Sequence, residues 1–257
     1  MSVKNLVKAV AVLDCFTPSE PVWTGTALAK RLNMPVTTLH GILHSLVDMD
    51  FLVQSQQTKE YRMGFRYLEM GSLYVNNSEL NTIVQGVIHS LGFGQEYLVG
   101  LNVLYKGWAY NSLTLLPLRN TRAFNFLGPR MPAHLAAGGL AVLAHLPREE
   151  VEAYCTKSWE QHIVRLPQRC EELQEQLEEV RKNGYAVGKS LVDFESQRTL
   201  GAPIFGRKNE VLGALVLLGA EKPFPPSRIP ALGEQLCVAA NAVSIQCGHL
   251  VRDQRAI

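Results

Sequence analysis

The sequence predicts an α+β protein of two domains: an N-terminal winged helix-turn-helix, then a sensor-like domain that mixes helices and strands. Three observations predict it. The first 65 residues or so carry three helical patterns followed by two short β-like runs around a polar tip. Beyond them, strand-like and helix-like runs alternate to the C-terminus. The chain has 257 residues, 47% of them apolar, which suits two domains with a core each.

The first helix is expected over residues 4–16, with Leu6, Val7, Val10 and Leu13 as an apolar stripe at 3–4 spacing and Thr17-Pro18 as its stop. A short helix follows over 26–32, with Leu28, Ala29 and Leu32 facing in. Asn33-Met34-Pro35 reads as a turn, its proline placed to open the next helix. That helix, 36–49, buries Leu39, Ile42, Leu43 and Leu46 and shows Thr37, Thr38, His40, Gly41, His44 and Ser45 on its other side. Phe51-Leu52-Val53 and Tyr61-Arg62-Met63 bracket the polar stretch 54–60 as a hairpin, the wing.

Apolar residues at helical spacing over 65–75 predict a connecting helix, closed by the polar break 76–79. The domains are thus 1–64, a linker at 65–78, and 79–257. The second domain is expected to open with a helix over 80–91. Strands follow at 97–105 and 108–116, joined by a turn at Lys106-Gly107. An irregular stretch, 117–132, holds Arg119, Arg122 and Arg130. Helices are expected at 136–145, 148–156 and 168–183, strands at 185–191, 200–205 and 211–218, and a closing helix at 227–251. The helix over 168–183 is the clearest, with acids early, Arg181 and Lys182 late, and Gly184 at its end.

Composition narrows the function. No apolar run approaches the ~18 residues of a membrane span and the N-terminus lacks a signal peptide, so a cytoplasmic chain with no membrane partner is expected. Five scattered cysteines, with no CxxC, argue against a disulfide framework or a zinc knuckle and are expected to be plain thiols. His40 and His44 stand at i,i+4 but lack a third ligand, so no metal is expected. G-x-S-x-G, H-E-x-x-H, P-loop and G-x-G-x-x-G motifs are absent, so no catalytic residues and no cofactor are expected, and the chain is not read as an enzyme.

What remains points to DNA. A recognition helix reads bases with its N-terminal turns, so Pro35, Thr37, Thr38, His40, Gly41 and His44 are the candidate contacts, with Lys59 and Arg62 on the wing. Taken singly, these are equally the residues of a solvated helix face. Residues 1–66 hold seven Lys/Arg against five acids, a local net charge of +2, so the phosphate attraction of one head is modest and a dimer is needed to supply more. In the second domain, His134 beside a small-residue helix is either a hydrogen-bonded structural histidine or a ligand contact. The Arg119, Arg122 and Arg130 cluster either meets an anion or lies solvated.

Four segments resemble the IclR family of regulators. They are the helix-turn-helix, Tyr61 through Gly71 (Y-R-M-G-F-R-Y-L-E-M-G), Arg130 through Gly139 (R-M-P-A-H-L-A-A-G-G), and Gly184-Tyr185-Ala186 followed by Gly201-Ala202-Pro203-Ile204. The resemblance implies a GAF-like second domain that binds a small-molecule effector. It also implies a homodimer or tetramer on a pseudo-palindromic operator in double-stranded DNA, with repression expected over activation. Two departures touch the recognition helix: Val36 stands where the family usually has Lys, and Gly41 where Arg follows the His. They motivate a rival reading, a metabolite-binding or enzymatic protein with a vestigial DNA-binding head.

In the pocket, relatives that bind small oxo-acids use an acid, a Cys and two serines where this chain has Gly188 or Lys189, Thr199, Val216 and Leu218. The small residues of the pocket helix correspond to Ala137 and Gly138. The effector expected is therefore a larger or more apolar acid than glyoxylate. Thr199 and an arginine such as Arg119 or Arg130 would be its polar anchors, with His134 nearby.

Overall fold

The computed structural model describes residues 4–91, 97–115, 130–156, 170–192, 195–220 and 224–249. Two compact units result, Met1–Asn77 and Ser78–Ile257. Among the described residues no helix is long and apolar enough to cross a membrane.

In the first unit, α1 (Lys4–Leu13), α2 (Gly25–Arg31) and α3 (Val36–Asp48) pack around Val12, Leu28, Leu39, Leu43, Leu46, Leu52 and Tyr61. Thr24 caps α2, its hydroxyl accepting from the Ala27 amide at 3.3 Å. Asn33, at a positive φ of 47°, turns the chain between α2 and α3. A strand the sequence did not announce, β1 (Trp23–Thr24), pairs with β3 (Glu60–Met63), which also pairs with β2 (Leu52–Gln54) to form the wing.

One expectation for α1 is corrected. Leu6, Val7 and Val10 are exposed, while Val12 is buried and Ala9 and Leu13 pack beside it. Spacing of 3–4 marks a face; it does not say what the face meets.

The connecting helix α4 (Arg66–Asn76) belongs to the first unit. Tyr67 stands edge-on to Phe51, ring centroids 5.5 Å apart, and the Gly64 amide donates to the Phe51 carbonyl at 2.9 Å. A Cβ on Gly64 would collide with the Asp50 carbonyl, so only glycine lets the wing exit pass this close. No residue of α4 is buried.

Among the described residues the second unit is built on a six-stranded antiparallel sheet in the order β6-β5-β4-β9-β8-β7. The strands are β4 (Leu98–Tyr105), β5 (Trp108–Leu115), β6 (Arg130–Pro132), β7 (Ala186–Val192), β8 (Glu195–Phe205) and β9 (Val211–Ala220). Lys106 and Gly107, with φ of 50° and 83°, make the two-residue turn with both positions left-handed that suits strand twist. On one face, α5 (Glu79–Leu91) and α9 (Ile229–Gln246) cover Val99, Leu101, Leu200, Ala202, Ile204, Leu215 and Leu217. On the other lie α6 (Ala137–Leu143), α7 (Arg148–Thr156) and α8 (Cys170–Asn183), packed through Leu140, Val151, Tyr154, Leu173, Leu177 and Val180.

Several boundaries move. β6 lies in a stretch read as irregular, β8 begins five residues earlier than expected, and a 3-10 turn (Ala133–Leu135) precedes α6. The cysteine expectation is also corrected. Cys155 at the end of α7 and Cys170 at the start of α8 are joined in a disulfide, because the two helix ends meet in space. Cys15, Cys237 and Cys247 are free.

His145, just past α6, sets its ring edge-on to Phe205 with centroids 5.0 Å apart, and its buried Nε2 has no hydrogen-bond partner among the described residues. Burial, then the Arg181 guanidinium, pushes its pKa below the ordinary 6.5. The folded chain therefore holds this ring neutral where the unfolded chain protonates it. Its contribution to stability is complete above pH 6.5 and falls as pH drops from there through the folded pKa. Urea midpoints at pH 7.5 and 5.5 should fall further in the wild type than in His145→Gln; an equal fall in both would refute this assignment.

Candidate nucleic-acid interface and effector face

α3 buries Leu39, Leu43 and Leu46, which leaves Pro35, Thr37, His40, Gly41 and His44 exposed and Thr38 half-buried on the other side. Pro35 occupies the N-cap with no side-chain cap bond, so the first-turn N–H groups of this 13-residue helix keep their donors for an incoming oxygen. Val36, 53% exposed, stands beside them as an apolar contact and not a cationic one. On the wing, Lys59 sits at the tip with a positive φ of 57° and Arg62 is exposed on β3 opposite Val53. One partner escaped the sequence reading: His44 Nδ1 lies 2.7 Å from Asp48 Oδ2, an i,i+4 pair on the exposed surface. The carboxylate holds the ring and also sets a negative charge beside the surface offered to phosphate. Among the described residues no group of three or more His, Cys, Asp or Glu could hold a metal.

In the second unit the N-terminal end of α6 presses straight onto the sheet. A Cβ on Gly138 would fall 2.7 Å from Asn102 Cβ and from Val216 Cγ2. One on Gly201 would fall 2.5 Å from the Ala137 carbonyl, and one on Gly188 2.8 Å from the Thr199 hydroxyl. Leu218 pairs with Thr199 across the ladder and shares a sheet face with Val216, two residues away. So Ala137, Gly138, Thr199 and Val216 come together in a largely apolar, buried contact with one hydroxyl, and Leu218 stands half-buried beside it.

Arg130 is elsewhere. It pairs with Tyr110 on edge strand β6, three strands from β9, and its guanidinium lies 4.6 Å from the Trp108 ring. Strand spacing and rise put it on the order of 20 Å from Leu218, beyond the reach of a shared small ligand. His134 is buried against α7. Its backbone N–H donates to the Tyr154 hydroxyl at 3.1 Å, and that hydroxyl lies 2.6 Å from Nδ1. Burial pushes the Tyr154 phenol up to about 12. Arg119 and the side chain of Lys189 lie outside the described residues.

The family model described as bacterial transcriptional regulator IclR C-terminal matches residues 73–245, and the IclR helix-turn-helix domain matches residues 5–56. The chain belongs to the IclR family. Its relatives are transcriptional regulators and not enzymes. It is 27% identical over 250 residues to the HTH-type transcriptional regulator KipR of Bacillus subtilis, covering 96% of this chain and 98% of that one. It is 23% identical over 255 residues to the transcriptional repressor IclR of Escherichia coli, covering 96% and 91%. An IclR homolog from Microbacterium hydrocarbonoxydans, solved with 4-hydroxybenzoate, shares the fold with a TM-score of 0.72 at 19% identity, over 95% and 98% of the two chains. An IclR-family winged helix-turn-helix followed by a GAF-like domain is therefore the architecture.

Within this IclR-family domain, sequence reasoning missed Asn102. It is a polar residue inside the apolar run 101–104, and it underlies Gly138. An amide in such a run is itself a signal, since strands bury polar groups only where something meets them. A separate groove of about 490 Å³ lies at the opposite end of β4, lined by Leu104, Val142, Leu146, Tyr154, Val211 and Leu212 with Lys106 and Glu150 among its polar residues. It shares no residue with the Thr199 group. The Thr199 group combines an apolar wall with a buried hydroxyl, whereas the groove sets aliphatic side chains beside Tyr154, Lys106 and Glu150.

Proposed function

We propose that this chain is a dimeric, cytoplasmic repressor that binds a pseudo-palindromic operator through α3 and the wing and releases it when an acid occupies the face around Thr199, Val216 and Leu218. The observation that carries the reading is the division of α3. Leu39, Leu43 and Leu46 fix one side in the core, so Thr37, His40 and His44 are exposed, with Thr38 half-buried beside them, on a helix whose first turn has no side-chain cap. Thr38 and His40 read base edges or the nearest phosphates. Lys59 and Arg62 meet the backbone beside them.

The effector is an acid larger or more apolar than glyoxylate, since Val216 and Leu218 offer no hydroxyl and Thr199 offers one. The 4-hydroxybenzoate complex of a homolog supports an aromatic acid as the class to try first.

Thr38→Ala and His40→Ala should each weaken binding to the DNA flanking the chain's own gene by ~1–3 kcal/mol, with folding unchanged. Gel shifts with Arg62→Ala alongside test the assignment. If both helix variants bind as the wild type while Arg62→Ala fails, α3 is not the reading element. If the wild type shows no preference for that DNA, the head is vestigial.

A further inference from the structure

We infer that Cys155 and Cys170 are a reversible thiol–disulfide pair that lets a hydroperoxide lock the helical layer behind the effector face. Their Cα atoms are 5.6 Å apart and 15 residues separate them in sequence, which is bridging geometry with no backbone rearrangement required. Both are half-buried, so oxidant and reductant reach them. Cys15, Cys237 and Cys247 are also half-buried but free, with no second cysteine bridged to them, and burial raises the pKa of each thiol. On the reading that the chain works beside DNA in a reducing compartment, a bridge here forms and breaks with redox state and is not a permanent staple.

The step balances. One thiolate attacks the hydroperoxide O–O bond, giving a sulfenic acid and releasing an alcohol. The second thiolate displaces hydroxide from that sulfur, closing the S–S bond and leaving water. The two thiols together lose two electrons and the peroxide gains them. A dithiol reverses the change by exchange.

The bridge has a route to the effector face. It joins α7 to α8, and both pack on the back of α6 through Val151, Tyr154, Leu173 and Leu177. Tyr154, beside Cys155, holds His134 by two hydrogen bonds in the turn that opens α6. The front of that same helix end lies on Asn102 and Val216. Fixing the spacing of α7 and α8 therefore fixes how α6 seats on the sheet.

Iodoacetamide labelling of the denatured full-length protein, read by intact mass and peptide mapping, tests this. After cumene hydroperoxide the wild type should take up three labels and show a 155–170 linked peptide; after dithiothreitol it should take up all five. The oxidised form should melt roughly 6–12 °C above the reduced form, as expected for closing a loop of this length. Amide exchange over residues 133–143 should slow several-fold, and Cys155→Ser with Cys170→Ser should abolish all three differences. Five labels after oxidation, a bridge between other cysteines, or unchanged exchange over 133–143 would overturn the proposal. None of these readouts uses DNA, so failure to bind an operator would count against the proposed function and leave this result standing.

Discussion

Leu68→Glu combined with Leu73→Glu should turn the protein into a monomer and cut operator affinity on the order of 100-fold or more, the range lost when one of two linked heads is removed. The reason lies in the first unit. Phe65, Leu68 and Leu73 are 75%, 71% and 62% exposed, Tyr74 is exposed beside them, and no residue of α4 is buried. Leu6, Val7 and Val10 of α1 add a second unpartnered apolar face in the same unit. Monomeric proteins rarely leave such surface in water, and each Å² covered contributes roughly 25 cal/mol. Charge argues the same way, since one head brings a net charge of only +2 and phosphate attraction grows with the number of cations engaged. Light scattering reads the mass and a gel shift reads the affinity. A doubly substituted protein that stays dimeric and binds as the wild type would place the interface elsewhere.

Leu218→Arg should abolish effector binding and leave DNA binding intact. Leu218 stands across the ladder from Thr199 and on the same sheet face as Val216. Leu218 is half-buried, so a guanidinium there would replace apolar contact with a longer, hydrated, charged chain on the face proposed to take the acid. Val216→Ser is milder: it removes apolar contact from a nearly buried position and should weaken an aromatic acid several-fold. Calorimetry with 4-hydroxybenzoate and with glyoxylate discriminates. The account predicts binding of the aromatic acid, weaker in Val216→Ser and absent in Leu218→Arg. Tight glyoxylate binding that ignores both substitutions would show that the effector site lies elsewhere.

Much of this was legible in the chain. The order of α1 to α3, the turn at Asn33-Met34-Pro35 and the wing follow from periodicity and turn residues that local physics fixes. The Lys106-Gly107 turn and the Gly184 stop of α8 were readable because left-handed backbone selects few residues. What was missed depends on distance in space. β6 is three residues of edge strand containing a proline, and the early part of β8, Glu195 through Thr199, is polar, so neither carries an apolar alternation. The 155–170 bridge needs the ends of two helices to meet. Leu6, Val7 and Val10 have the right spacing for a core and nothing in the spacing says that they look outward. Thr199, Val216, Ala137 and Gly138 lie together where α6 meets the sheet. Arg130 does not join them, since its place on an edge strand is set by pairing with Tyr110 and stacking on Trp108.

Fluorescence anisotropy of a labelled duplex from the DNA flanking the chain's own gene, titrated with protein against a scrambled duplex at fixed salt and then with aromatic acids, tests the central claim most directly. The account predicts specific binding at least 10³-fold tighter than the scrambled control. It also predicts release on adding an acid that binds the wild type, and no release from Leu218→Arg. Equal affinity for both duplexes, or release that is the same in Leu218→Arg, would contradict it.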